Sequence, residues 1–134
     1  YELDVDIPEV HVQCMLDRVQ LKRAFDNIIA NSIRHNKKGT TIFCRMTMYA
    51  EWVCIVLADN GAGIPKELGA HIFDPFVVGE KSRSKQGSGL GLAVSKKIVT
   101  AHGGVIRLVR YPETGYTTEF EIILPVLPKD NEQC

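Results

Sequence analysis

The sequence predicts an α/β fold of the α+β kind: a two-layer sandwich whose mixed, mostly antiparallel sheet has its helices packed on one face. Three observations lead there. Strand-like segments alternate apolar with polar residues, so each leaves one face for water, as a sheet covered on one side does. Two longer stretches carry helical periodicity and supply the covering layer. The 134 residues, 45% hydrophobic, suit one domain with one core.

In chain order, "ELDVDIP" alternates Leu3, Val5 and Ile7 with acids, a short strand stopped by Pro8, and "VHVQC" reads as a second brief extended piece. Asp17 is placed to cap a long amphipathic helix. There Leu21, Phe25, Ile28, Ile29 and Ser32 share one face while Arg18, Lys22 and Asp26 fall elsewhere, and "NKKGT" ends it. "TIFCRMTMY" alternates as an edge-ward strand, and "WVCIVLAD" is continuously apolar, as a central strand is.

"IPKELGAHIF" reads as a short helix with Pro65 at its first position. A polar stretch over 74–88 follows, long for a connector and of the kind that serves as a lid or binding loop. The next helix sets Leu90, Val94, Ile98 and Ala101 toward the core, turns Lys96 and Lys97 away, and stops at Gly103 and Gly104. "GVIRLVRY" and "TTEFEIILP" form a hairpin around "PETG", and residues 128–134 read as a disordered tail after a single domain over 1–127.

Sixteen basic residues balance sixteen acidic ones, so no global field draws the chain to nucleic acid or to an anionic membrane, and neither is expected as a partner. Cys14, Cys44, Cys54 and Cys134 form no CxxC pair, which argues against structural zinc and a disulfide scaffold and for a reduced, intracellular compartment. No run approaches the roughly 20 apolar residues of a membrane span, and the first residues lack the blocks of a signal peptide. The abrupt ends suit a soluble piece of a longer chain.

"KQGSGLGLAVSKKIVTAHGG" places Gly87, Gly89 and Gly91 at alternate positions before a helix. A dinucleotide fingerprint fails, because its sixth position falls on Leu92 or Val94, no strand precedes it, and "RLVRY" offers arginines where a ribose-binding acid belongs. A P-loop fails because Gly91 precedes Leu92 and not Lys-Ser or Lys-Thr. What survives is a small-residue helix start at which backbone N–H groups can approach a phosphate, or else a flexible linker.

Three companions favour the phosphate. Asn27 and Asn31 lie four apart on the long helix, with Arg34 and His35 one turn on, and an amide oxygen suits Mg²⁺. Asp59 ends the central strand before Gly61 and Gly63, where a carboxylate can accept from adenine's exocyclic amine and repel guanine's carbonyl. "FDPFVVGEKSRSKQG" has Phe73 and Phe76 as apolar anchors at the base of a polar segment carrying Lys81, Arg83 and Lys85, which could close on a triphosphate.

In this order, the Asn-bearing helix, "DNGAGIP", "FDPF" and "GSGLGLA" resemble the N, G1, F and G2 boxes of the ATP-binding catalytic domain of bacterial sensor histidine kinases. The resemblance covers nearly the whole chain and implies the Bergerat ATP-binding fold, shared with gyrase, heat-shock chaperone and mismatch-repair ATPases. By motif it implies Asn31 as Mg²⁺ ligand with Asn27 beside the phosphates, Arg34 as a phosphate contact, and His35 as the ring beside the nucleotide. It implies Asp59 as adenine acceptor, with Gly61, Gly63 and Ile64 around it. Gly87, Ser88, Gly89 and Gly91 would form the phosphate loop, Leu90 and Leu92 would hold its helix to the core, and Phe76, Lys81 and Arg83 would belong to the lid.

The hydrolysing relatives carry a glutamate four residues before the metal asparagine; Asn27 stands there instead, which favours transfer over hydrolysis. None of His11, His35, His71 and His102 precedes the acid- and proline-containing segment of the family's phosphoacceptor helix. The resemblance therefore implies a protein-histidine kinase domain binding ATP and Mg²⁺, with its substrate histidine on an upstream dimerisation domain. Its further partner is a response regulator, and its place is the cytoplasmic side of a membrane-anchored sensor. An anti-sigma-factor serine kinase and a non-catalytic nucleotide-binding module remain as alternatives.

Overall fold

The computed structural model describes residues 2–6, 17–75, 91–109 and 115–126. Within them the chain forms β1 (Glu2–Asp6), α1 (Arg18–His35), β2 (Thr41–Met48), β3 (Trp52–Asp59), α2 (Lys66–Gly69), α3 (Gly91–Ala101), β4 (Val105–Leu108) and β5 (Thr118–Pro125). The strands make one five-stranded sheet in the order β1-β2-β3-β5-β4. β1 runs parallel to β2, and every other pairing is antiparallel. The parallel pair needs a crossover, and α1 lies within it.

Pleating decides which residues meet the helices. Val53, Leu57, Ile106, Phe120, Ile122 and Leu124 point from the sheet into a core shared with Leu21, Ala24 and Ile28 of α1 and Leu92, Ile98 and Val99 of α3. Asp17 caps α1, its Oδ1 accepting the Gln20 N–H at 3.1 Å. The buried stripe of α1 runs Leu21, Ala24, Ile28 and Ser32, with Phe25 and Ile29 half-buried beside it.

α3 keeps Ile98 in the core, Val94 against it and Lys96 and Lys97 outward as expected, but adds an unexpected polar residue to its buried face. Leu92, Ser95, Ile98 and Val99 are buried, Val94 is half-buried and Ala101 is exposed; Leu90 lies outside the described residues. The reason is a hydrogen-bonded seam with α1, which turns a polar residue inward. Ser95 Oγ donates to the Ala24 carbonyl at 2.8 Å, and at one end the Asp17 N–H donates to His102 Nε2 at 2.9 Å. At the other end Asn27 Nδ2 donates to the Gly91 carbonyl at 3.2 Å. The helices are therefore antiparallel and held at three levels.

α2 is a single turn, shorter than "IPKELGAHIF" implied. Pro65 precedes it as the N-cap, its carbonyl accepting from Leu68 and Gly69 N–H, and turns carry the chain on to Pro75. The outer sheet face is also less polar than alternation implied: Phe43, Val56 and Ala58 are buried there, and Phe43 stacks on Tyr116 with centroids 5.1 Å apart. A continuously apolar β3 has apolar residues for both faces. The extended reading of "VHVQC" and the tail after Val126 lie outside the described residues. No helix among them is long and apolar enough to cross a membrane.

Candidate functional site

Asp59 is the last residue of β3, paired with Ile42 on one side and Thr118 on the other, and its side chain turns toward the helices. It is 2% exposed. Burial of a carboxylate requires donors, and two are supplied. Ser32 Oγ donates to Oδ2 at 2.6 Å, and the Gly61 N–H donates to Oδ1 at 3.0 Å. Thr117 secures the backbone beneath, its N–H donating to the Asp59 carbonyl at 2.9 Å and its hydroxyl lying 2.7 Å from the Gly61 carbonyl.

The glycine loop after Asp59 is clasped to the end of α1. Asn36, the C-cap, donates from Nδ2 to the Ser32 carbonyl at 2.9 Å and accepts the Ala62 N–H on Oδ1 at 3.0 Å. Its amide occupies the space a Cβ on residue 61 would take, so Gly61 is required by crowding. Gly63 is required by its backbone, at φ +82°. On the other side the Asn60 side chain accepts the Thr41 N–H at 2.7 Å, so "DNG" is tied to β2 and is no hairpin turn.

Sequence reasoning passed over Asn36 and Thr117 and took Ser32 only for a member of the apolar face. One signal was present: Ile28, Ser32 and Asn36 continue a single four-residue row toward the loop.

The Asn-bearing edge runs beside that row. Asn27 ties α1 to Gly91, the first residue of α3, so this polar edge meets the start of that helix directly. Asn31 is half-buried, and its side chain has no hydrogen-bond partner among the described residues. Arg34 is half-buried in the last turn of α1; His35 ends the helix, and its side chain is not described. Leu92 is buried in the core and Ile64 packs against it. At Gly91 an added Cβ would sit 3.8 Å from Asn27, an ordinary contact, so no described neighbour demands a glycine there. Phe76, Lys81, Arg83, Gly87, Ser88, Gly89 and Leu90 lie outside the described residues, as does the 74–88 segment beyond Pro75.

A cavity of about 620 Å³ opens on the other side of the glycine loop, with Ile64, Lys66, Leu108, Val109, Thr117 and Thr118 among its walls. Asn27, Asn31 and Gly91 are not among its described walls, so the cavity reaches the strand partner of Asp59 but not the Asn edge. Among the described residues no group of three or more His, Cys, Asp or Glu could hold a metal. A divalent cation here would need most of its oxygens from a ligand and water, with Asn31 contributing one amide oxygen.

Residues 16–128 match the family profile described as histidine kinase-, DNA gyrase B- and HSP90-like ATPase. The chain is 38% identical over 125 residues to the alginate biosynthesis sensor protein KinB of Pseudomonas aeruginosa, covering 93% of this chain and 20% of that protein. It is 41% identical over 97 residues to the sensor protein GtcS of Aneurinibacillus migulanus, covering 72% of this chain and 26% of the relative. Among solved structures, the mycobacterial sensor histidine kinase MprB superposes with a TM-score of 0.80 at 31% identity, over 95% of this chain and 84% of that one. The chain thus spans a fifth to about a quarter of the length of these two sensor proteins.

Proposed function

Because the chain belongs to the histidine kinase-, DNA gyrase B- and HSP90-like ATPase family and corresponds to the ATP-binding catalytic part of sensor histidine kinases, we propose that it binds Mg-ATP and presents the γ-phosphoryl group to a histidine on a separate dimerisation domain of its parent protein. The reading rests chiefly on Asp59, a buried carboxylate at the end of the central strand, held by two donors beside an edge of α1 that meets the start of α3. Its remaining lone pairs can only accept, which suits the exocyclic amine of adenine and opposes the carbonyl of guanine.

Phosphoryl transfer asks a protein mainly to position groups and offset charge. Asn31 would give one oxygen to Mg²⁺, which neutralises phosphate charge when bound. Arg34 would meet phosphate oxygens and His35 would flank the nucleotide, while the start of α3 at Gly91 would direct its N–H groups to the phosphates. Ile64, Gly61 and Gly63 would border the base. Phe76, Lys81, Arg83, Gly87, Ser88, Gly89 and Leu90 would complete the lid and phosphate loop. The incoming imidazole nitrogen forms its bond to the γ-phosphorus as the bond to ADP breaks, and the ring releases its proton to solvent.

Asn27 is an amide engaged with the Gly91 carbonyl and has no basic site with which to activate water, which favours transfer over hydrolysis. We place the phosphorylated domain upstream in the same protein, a response regulator downstream, and the parent at the membrane with this domain in the cytoplasm.

The test is calorimetric titration with ATP in Mg²⁺ and in EDTA. Wild-type protein should bind with a clear metal dependence. Asn31→Ala should lose that dependence while the residual metal-free affinity stays within about threefold. Absence of ATP binding by the wild type in both buffers refutes the proposal.

A further inference from the structure

We propose that Ser32 is the positioning residue that gives this site its preference for an amino-bearing purine, acting through the Asp59 carboxylate; the inference rests on the reading of Asp59 as the adenine acceptor. Ser32 is 7% exposed and lies on the otherwise apolar buried stripe of α1, where a hydroxyl has no packing advantage over a methyl group. Its oxygen is 2.6 Å from Asp59 Oδ2, a short, charge-assisted contact of the stronger class.

The two donors on Asp59 come from different elements. The Gly61 N–H belongs to a loop with two glycines, whereas Ser32 belongs to an 18-residue helix tied to α3 at three levels. With only the Gly61 bond, the carboxylate could swing about its last torsion, since terminal carboxylate torsions are broad. With Ser32 on the second oxygen, rotation breaks both bonds at once.

Asn36 keeps the two donors in register. It donates from Nδ2 to the Ser32 carbonyl and accepts the Ala62 N–H on Oδ1, so the α1 row and the glycine loop are tied together. The carboxylate therefore shows a ligand only acceptors, at a fixed angle. A base with a donor there gains; a base lacking it does not.

The experiment compares two ligands on the whole chain: Mg-ATP, and the purine riboside triphosphate that lacks the exocyclic amine, each displacing a fluorescent ATP analogue. Wild-type protein should favour ATP by about tenfold or more. Ser32→Ala should weaken ATP by about tenfold and the amine-free nucleotide by less than about twofold, so that the preference collapses. Ser32→Thr, which keeps the hydroxyl, should retain the preference within about threefold, and Ser32→Cys, a weaker donor of similar shape, should fall between them.

If Ser32→Ala weakens both nucleotides alike, or neither, the residue is only structural and the inference is overturned. Asp59→Asn separates the two ideas. If it leaves the preference intact, the adenine reading of Asp59 fails; if it abolishes the preference while Ser32→Ala keeps it, the Ser32 inference alone fails.

Discussion

Gly61→Ala is a one-methyl change whose cost should depend entirely on residue 36. The Gly61 backbone lies outside the left-handed region, so alanine is conformationally acceptable there. The added Cβ, however, falls on the Asn36 amide group. To make room Asn36 must withdraw, giving up its bonds to the Ser32 carbonyl at 2.9 Å and to the Ala62 N–H at 3.0 Å. At about 1 kcal/mol each, the loss is about 2 kcal/mol, or roughly 7 °C in Tm for a chain of this length. Asn36→Ala should cost about the same, since it removes the same two bonds.

The double variant Gly61→Ala/Asn36→Ala has no clash left, so it should be no less stable than Asn36→Ala alone. That amounts to a coupling of about 2 kcal/mol between the two sites. Urea unfolding followed by the fluorescence of Trp52, the single tryptophan, measures all four proteins. Additive losses, with the double variant down by about 4 kcal/mol, would refute the steric argument.

Ser95, fully buried, bolts α3 to the Ala24 carbonyl. Ser95→Ala should cost about 1 kcal/mol of stability in urea, and Ser95→Leu, which must push the closely packed α1 and α3 apart, about 1–3 kcal/mol. Cys54, on the outer sheet face, has its thiol pushed up to about 11 by burial, with Glu121 adding to the effect. In a variant whose only cysteine is Cys54, about 0.1% should be thiolate at pH 8, so thiol reagents should react far faster after unfolding, and Glu121→Gln should speed the native reaction. The folded state holds this proton more tightly than the unfolded one. The resulting stabilisation is complete below the ordinary thiol value near 9 and is lost as pH rises toward 11. Unfolding at pH 8 and pH 10.5 should therefore show a smaller drop for Cys54→Ser than for wild type.

The strands were legible because alternation and continuous apolar runs report burial directly. The α1 cap was legible because Asp17 immediately precedes a periodic stretch. Asp59 stood out as a carboxylate closing an apolar strand. The residues that hold it did not. Ser32 lies 27 positions away and its bond leaves no periodic trace, so a hydroxyl in an apolar row looked like filler. The polar residue on the buried face of α3 was equally hidden, because Leu90, Val94, Ile98 and Ala101 make as good a stripe on paper as Leu92, Ser95, Ile98 and Val99. The seam of hydrogen bonds to α1, with Ser95 at its centre, favours the second.

The strand order also dictates when a ligand-competent molecule can exist during synthesis. β5 is the last strand among the described residues, yet it fills an interior position of the sheet, between β3 and β4. Until it docks, β3 presents an open edge along its whole length, and Asp59 lacks both Thr118 beside it and Thr117 on its carbonyl. Ser32, Asp59 and the Thr117–Thr118 pair, far apart in sequence, thus meet at one carboxylate, and that meeting is complete only once β5 has docked. A ribosome-bound chain stalled before residue 117 would hold the Asn helix and "DNG" in full and still lack the strand that completes the setting of Asp59.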